Sequence, residues 1–169
     1  MFRRRLLGLG ALTLFRPAAT WALENPQGPV ILTVSGRLRG GNRDGQSLFD
    51  MAMLERLPQA TLNTQTPWYP QPRRFTGPLL RDVVAAAGGR LAEGSRLRAA
   101  ALNDYVVEIP GEDALRYDLV LARLMDDKPM PVRDKGPLFI IYPFDAHREL
   151  RNAVYYSRCA WQLKSIEVV

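Results

Sequence analysis

The chain contains one histidine and one cysteine, His147 and Cys159, the two side chains best suited to metal binding or nucleophilic chemistry. A zinc site needs three or four nitrogen, sulfur or oxygen ligands, so this pair with added carboxylates would make a sparse one. His147 stands among Asp145, Arg148 and Glu149, which favours a solvated imidazole. The sequence has no Gly-x-Ser-x-Gly elbow for a serine hydrolase and no glycine-rich phosphate loop. We therefore assign no catalytic residue and no metal ligand.

The remaining chemistry is the binding of a flat ring. A threonine-rich run over residues 59–66 predicts a strand. It leads into Pro67-Trp68-Tyr69-Pro70-Gln71-Pro72, a loop in which three prolines restrict the backbone. Gly77-Pro78 is then expected to open a helix over residues 78–87, with proline in the first turn. Aromatic side chains held by prolines at a strand end suit one wall of a binding pocket.

The spacing from Trp68 to Phe75-x-Gly77-Pro78-Leu79-Leu80 resembles the oxidoreductase molybdopterin-binding domain family, the fold of sulfite oxidases and of sulfite-oxidase-like methionine sulfoxide reductases. The resemblance covers residues 28–169 and implies a domain at the short end of the family, without an added dimerisation domain. The family's other landmarks follow in order as Asn103-Asp104-Tyr105, Ile109-Pro110, Leu121-Ala122-x-x-Met125, Gly136-Pro137-Leu138-Phe139-Ile140 and Arg158-x-x-Trp161.

One position departs from the family pattern. The resemblance implies a molybdenum-ligating cysteine four positions before the tryptophan, and Thr64 stands there. A hydroxyl is a poor replacement for a soft thiolate on molybdenum. Cys159 lies far along the chain in a different motif, and burial as a small apolar side chain is its favoured role. We therefore expect no bound molybdenum cofactor, but the pocket for a pterin can outlast the loss of the metal ligand.

A pterin needs an aromatic plate for its face and polar partners for its edge. The candidate cofactor-binding residues are Thr64, Trp68, Asp104, Tyr105, Arg158 and Trp161. Thr64 is expected to face the pocket. Asp104 is the candidate acceptor for the pterin edge, and Tyr105 is expected to lie beside it.

Most of these residues have a structural alternative. Trp68 is either the stacking plate or packing for its loop, and Trp161 is slightly favoured as core. Asp104 is either the acceptor for the pterin edge or a turn-capping aspartate. Arg158 is either a donor to a ligand carbonyl or a member of a surface ion pair. Tyr142 and Asp145 are weaker candidates.

Residues 1–22 read as an export signal. Arg3-Arg4-Arg5 forms the basic region, residues 6–15 the apolar region, and residues 17–22 a small-residue zone. The apolar run is too short for a membrane span. The segment carries four arginines and no acid, so its removal lowers the net charge from +6 to +2. Without this excess positive charge, the sequence no longer favours a nucleic-acid partner. We predict a periplasmic protein without membrane insertion, and residues 23–169 as one domain.

The rest of the pattern predicts a mixed α+β fold of about seven strands and three short helices rather than a βαβ series. Strands are expected over 30–36, 59–66, 96–102, 106–110, 119–125, 137–143 and 161–168. Short helices are expected over 48–55, with Ser47 as cap, over 78–87 and within 145–156, and Asn103-Asp104 is expected to form a hairpin bend.

These expectations combine into one functional hypothesis. The chain is expected to be a periplasmic pterin-binding or ligand-sensing protein without redox chemistry of its own, signalling to the periplasmic domain of a membrane sensor. The alternatives are a molybdenum cofactor-dependent oxidoreductase and a purely structural adaptor.

Overall fold

The structure, a computed structural model, describes residues 23–169, and the predicted export signal lies outside them. Within this range the chain forms an α+β fold of several sheets, as the sequence predicts, with four short α-helices where three were expected. No helix among the described residues is long and apolar enough to cross a membrane. The strands are β1 Leu32–Gly36, β2 Ser47–Phe49, β3 Gln59–Thr64, β4 Arg73–Pro78, β5 Arg96–Ala101, β6 Val106–Pro110, β7 Val120–Ala122, β8 Leu124–Met125, β9 Lys128–Pro129, β10 Phe139–Ile141 and β11 Leu163–Val168. The helices are α1 Met51–Arg56, α2 Leu80–Ala86, α3 Gly111–Arg116 and α4 Ala153–Arg158, with 3₁₀ turns at Val132–Asp134 and Arg148–Leu150.

The largest sheet has the order β2-β1-β11-β5-β6. The last strand of the chain lies at its centre, parallel to β1 and antiparallel to β5. Side chains alternate along these strands, so one face is apolar and buried, and the other carries threonine, serine and charged residues. The buried residues of these three strands are Leu32, Val34, Leu97, Ala99, Ala101, Leu163, Ile166 and Val168.

A second group of strands carries the rest of the core. β3, β4, β8 and β9 form one sheet, and β7 pairs with β10 in another. The two approach each other closely at Gly77, where a Cβ atom would overlap the carbonyl oxygen of Leu121. Backbone bonds on either side of this point, Leu80 N to Leu119 O at 2.8 Å and Arg123 N to Thr76 O at 2.9 Å, hold β4 and β7 together. Glycine is therefore required at position 77 by lack of space.

The segment before β11 joins the two groups of strands. Trp161 forms an isolated antiparallel bridge with Phe139 in β10. On either side of it, Ile140 N donates to Ala160 O at 3.0 Å and Leu163 N donates to Leu138 O at 3.0 Å. These bonds fix Trp161 beside the apolar strand β10.

The first helix begins differently from the prediction. Ser47 does not cap it; this serine lies in β2, where its hydroxyl donates to Ala87 O at 2.8 Å. The cap is Asp50, whose Oδ1 accepts from Met53 N at 2.8 Å and whose Oδ2 accepts from Gln27 N and Gly28 N, each at 2.8 Å. A carboxylate accepts more backbone N–H groups than a serine hydroxyl, so Asp50 also ties down the entering chain.

Two more boundaries differ from the prediction. Gly77-Pro78 ends strand β4 instead of opening a helix, and α2 starts only at Leu80. Residues 73–78 are therefore a strand, because β4 pairs along its whole length with β3; the sequence assigned no element to residues 73–76 and predicted a helix start at Gly77-Pro78. Asn103-Asp104 does form the bend between β5 and β6, with Asp104 in the left-handed region at φ +63°.

Candidate functional site

A cavity of about 340 Å³ opens where three segments that are distant in sequence meet. It brings together three of the six candidate residues, Trp68, Tyr105 and Trp161. They come from the loop between β3 and β4, from the bend just before β6 and from the segment before β11. The remaining lining residues are Asn103, Tyr156, Ser157 and Cys159. None of the seven is an acid, a lysine, an arginine or a histidine, so the wall suits an uncharged ligand surface.

Trp68 lies at the centre of an aromatic group that forms one side of this cavity. Its ring centroid is 5.5 Å from that of Phe139, 5.5 Å from that of Trp161 and 6.2 Å from that of Tyr156. The contacts with Trp161 and Tyr156 are edge-to-face, an arrangement that aromatic quadrupoles favour. Trp68 is half-buried, so it packs against the core and also presents ring surface to the cavity.

The side chain of Trp161 contacts the ring of Trp68 and the ammonium of Lys135. The ammonium of Lys135 lies 4.9 Å from its ring centroid and 5.5 Å from that of Tyr69. A cation over an aromatic face is attractive and restricts the orientation of the ring. Trp161 therefore enters the cavity wall as a held surface.

The bend between β5 and β6 supplies the opposite wall. Tyr105 N donates to Asn103 Oδ1 at 3.2 Å, which fixes the asparagine side chain at the bend. The Tyr105 hydroxyl donates to Ser157 O at 2.7 Å. This bond connects the β5–β6 bend to α4, so the two elements close one end of the cavity together.

Helix α4 contributes Tyr156 and Ser157, and Cys159 follows directly after it. The Cys159 thiol is 3% exposed, and its Sγ lies 3.5 Å from Tyr155 O. Burial raises the pKa of this thiol far above its ordinary value, because a thiolate would lose its hydration there. The cysteine that lines the cavity is therefore a neutral, weakly polar surface at neutral pH.

Arg158, between two cavity residues, turns the other way. Its Nη1 donates to Asp113 Oδ2 at 2.8 Å, and its guanidinium lies 5.1 Å from the Tyr155 ring centroid. The same carboxylate oxygen accepts from the fully buried Tyr142 hydroxyl at 2.8 Å. Burial, reinforced by the Asp113 charge, raises the pKa of Tyr142. The hydrogen bonds that join Asp113 to Arg158 and Tyr142 therefore hold the C-terminal end of α4 through residues outside the cavity lining.

Asp104 and Thr64 also lie outside the lining residues. The Asp104 side chain is 88% exposed and pairs with Lys164 Nζ at 2.7 Å, a bond that lowers the pKa of the aspartate. Thr64 is fully buried, and its Oγ1 accepts from Asp145 N at 3.1 Å. Asp145 in turn accepts from Gln65 N at 2.9 Å and pairs with Arg151 at 2.6 Å. Thr64 thus joins its strand end to the loop after β10.

The residues at the positions where the sequence resemblance implies a metal site do not fit a molybdenum ligand set. The Thr64 hydroxyl is used by the backbone of Asp145, and the cavity's single sulfur atom is a buried neutral thiol. His147 is partly exposed, lies 3.5 Å from Glu149 and packs its ring 5.0 Å from that of Tyr117. Within residues 23–169, no three histidine, cysteine or acidic side chains are grouped to hold a metal ion. We derive no redox step from this arrangement.

Sequence reasoning missed four of the seven lining residues. Asn103 was considered as part of a bend and of a family motif, and Cys159 was favoured as a buried apolar side chain. Tyr156 and Ser157 lie in a polar segment that showed no binding pattern. These four residues share only their proximity in space to Trp68 and Trp161. Asn103, for example, is separated from Trp68 by more than thirty residues, so no local sequence pattern reveals this proximity.

No protein-family model and no curated protein matches the chain, so the cavity and its surroundings carry the functional argument.

Proposed function

We propose that this chain is a periplasmic pterin-binding protein of the sulfite oxidase fold that senses its ligand without redox chemistry of its own. The observation that carries the proposal is the aromatic cavity formed by Trp68, Tyr105, Tyr156 and Trp161. Its volume of about 340 Å³ lies within the range of small-molecule sites and accommodates a bicyclic ring with a short substituent.

The aromatic composition supports a flat ligand in particular. A planar heterocycle gains contact area against a tryptophan face without ordering a flexible side chain. Trp68 and Trp161 offer such faces from different directions, with their ring planes at 87° to each other. A ligand stacked on one ring therefore meets the other at its edge.

Two features argue for binding without catalysis. Thr64 takes the place of the expected metal-ligating thiolate, and its oxygen is occupied by the Asp145 N–H group. The cavity wall also lacks a charged acid or base that would move a proton. Binding is therefore the whole task of the site in this proposal.

The location and partner come from the sequence. The basic and apolar segments over residues 1–22 support export to the periplasm. The net charge of +2 over residues 23–169 does not favour binding to a nucleic acid. A ligand-binding domain without chemistry needs a receiver for its signal. The proposed partner is the periplasmic domain of a membrane sensor that distinguishes the ligand-bound from the ligand-free protein.

The first experiment is native mass spectrometry of protein purified from the periplasm, with fluorescence of the supernatant after denaturation. We expect one pterin per chain. The variant Trp68→Ala should keep its circular dichroism spectrum and lose affinity by about tenfold to a hundredfold, because a stacked ring contributes about 1–3 kcal/mol. Trp68→Phe should retain most of the binding.

Tyr69→Ala is the matched control. Tyr69 is the next residue, is also aromatic and half-buried, and lines a different surface groove. The Tyr69→Ala variant should bind pterin as the wild type does. Equal losses in the two alanine variants would show that loop disruption explains the effect, and the proposed stacking role would be abandoned.

Cys159 supports one alternative, a molybdenum cofactor-dependent oxidoreductase, because the chain's single thiol lines the same cavity as Trp68. Elemental analysis separates the two proposals. One molybdenum per chain, lost in Cys159→Ser, would replace the binding proposal with the oxidoreductase. Protein that carries neither pterin nor molybdenum, and binds neither when supplied, would leave the structural adaptor.

A further inference from the structure

Two hydroxyl groups of the cavity wall have fixed hydrogen-bonding roles, because their protons are already used inside the protein. The Tyr105 hydroxyl donates its proton to Ser157 O at 2.7 Å. The Ser157 hydroxyl donates its own proton to Val154 O at 2.7 Å. Each oxygen keeps lone pairs but no free proton, so toward a ligand both act as acceptors.

Asn103 has the opposite role. Its Oδ1 accepts from Tyr105 N at 3.2 Å, which settles the orientation of the amide. The amino group Nδ2 donates no hydrogen bond to another described residue. Asn103 lines the same cavity as Tyr105 and Ser157, and its amino group is a donor that no hydrogen bond within the described residues uses.

The other polar atoms of the wall do not cancel this pattern. The indole N–H groups of Trp68 and Trp161 only donate. The Tyr156 hydroxyl has no hydrogen bond to another described residue, so it rotates to suit either kind of partner.

We propose that the cavity selects a heterocycle whose edge presents an amino group, a ring N–H and a carbonyl, and that Asn103 is the residue that reads the carbonyl. This is the 2-amino-4-oxopyrimidine edge of an oxidised or reduced pterin. Its two donors meet the acceptor oxygens of Tyr105 and Ser157, and its carbonyl meets Asn103 Nδ2. The assignment rests on the proposed pterin function and specifies the ligand edge that function requires.

The assignment moves the edge-reading role from Asp104 to its neighbour. Asp104 points to solvent and pairs with Lys164 at 2.7 Å, whereas Asn103 lines the cavity. A neutral amide also suits a wall without charged groups.

Three pteridines that differ only at the edge test the pattern: pterin, with 2-amino and 4-oxo groups; lumazine, with two oxo groups; and 2,4-diaminopteridine. We expect wild-type protein at pH 7 to bind pterin about tenfold more tightly than either analogue. Lumazine places a carbonyl against acceptor oxygens, and the diamino compound places an amino group against Asn103 Nδ2. A tenfold difference corresponds to about 1.4 kcal/mol, the loss expected from one mismatched polar contact that the bound ligand shields from water.

Asn103→Asp is the decisive variant. It keeps the shape of the side chain and the acceptor for Tyr105 N, but it replaces the donor with an acceptor. We expect this variant to bind pterin at least tenfold more weakly than the wild type and to prefer 2,4-diaminopteridine over pterin. Asp104→Asn, the matched control at the exposed neighbour, should change each affinity by less than twofold.

Tyr105→Phe gives an independent readout if Asn103→Asp does not fold. It removes an acceptor but keeps the ring, so the preference for pterin over lumazine should shrink. Failure of wild-type protein to bind any of the three compounds overturns both the proposed function and this assignment. Binding without discrimination, or an Asn103→Asp protein that keeps the wild-type preference, overturns the assignment alone.

Discussion

Replacement of Asp50 by alanine removes three hydrogen bonds at once. The carboxylate is 3% exposed and accepts from the backbone N–H groups of Met53, Gln27 and Gly28, all at 2.8 Å. Loss of the helix cap to Met53 costs about 1–2 kcal/mol. The other two donors lie in the entry segment, which can fray and regain water, so each adds about 0.5–1 kcal/mol. We expect Asp50→Ala to lower the free energy of unfolding by about 2–4 kcal/mol.

The pH dependence gives the same prediction a second readout. Hydrogen bonds from Gly28 N and then Met53 N hold the pKa of Asp50 below its ordinary value, against the opposing effect of burial. A folded-state pKa below the unfolded one contributes stability that is present above the unfolded pKa of about 3.9 and is lost as the pH falls through the folded pKa. The wild-type advantage over Asp50→Ala should therefore be full at pH 7 and shrink below about pH 4.

Urea unfolding followed by circular dichroism at pH 7 and at several values below pH 4 measures both effects. Glu93→Ala, which removes an exposed acid from a turn, is the control and should stay within about 0.5 kcal/mol of the wild type. An Asp50→Ala protein as stable as this control at pH 7 would refute the role of the carboxylate. A difference that persists unchanged at low pH would refute its charged state as the cause.

Two further predictions concern packing and thiol chemistry. Gly77→Ala should destabilise the fold by about 3 kcal/mol in urea unfolding, because its Cβ would overlap Leu121 O. The control Gly28→Ala, whose Cβ would make only ordinary contacts, should cost less than about 1 kcal/mol. Equal effects of the two substitutions would contradict the close approach of β4 and β7. Cys159 in folded protein should react with iodoacetamide at pH 8 at least a hundredfold more slowly than in urea, because burial raises the pKa of the thiol and blocks access, and a rate near that of free cysteine would contradict this placement.

The sequence predicts those elements whose stability is local or periodic. The alternation over residues 161–168 predicted the terminal strand, because its apolar side chains face one buried layer. Asn103-Asp104 predicted the bend between β5 and β6, because aspartate tolerates the left-handed conformation that the bend requires.

Strand β4 was missed for the opposite reason. Arg73 and Arg74 follow a proline-rich loop and carry no alternating apolar pattern. Their extended conformation comes from pairing with β3, with Asn63 opposite Arg74 and Thr64 opposite Arg73. Pairing of this kind is a tertiary effect that a local pattern does not contain.

The candidate site shows the same division. Trp68, Tyr105 and Trp161 were singled out by residue type and motif, and they meet in one cavity. Arg158 was singled out as well, but its two neighbours, Ser157 and Cys159, line the cavity while it turns to Asp113. Which of several adjacent side chains faces a cavity depends on how a short helix is docked, and six residues of helix leave no periodic signal to decide it.

The tail of α4 is gripped from both sides. In front, the Tyr105 hydroxyl bonds to Ser157 O, and behind, the Arg158 guanidinium bonds to the carboxylate of Asp113. The cavity therefore cannot widen at this end unless one of these two bonds breaks or the β5–β6 bend and α3 shift together with the helix. A guest slightly too large for the ring-lined space is opposed by two attachment points at once, so the width of this cavity depends in part on Arg158 and Asp113, which lie outside its lining.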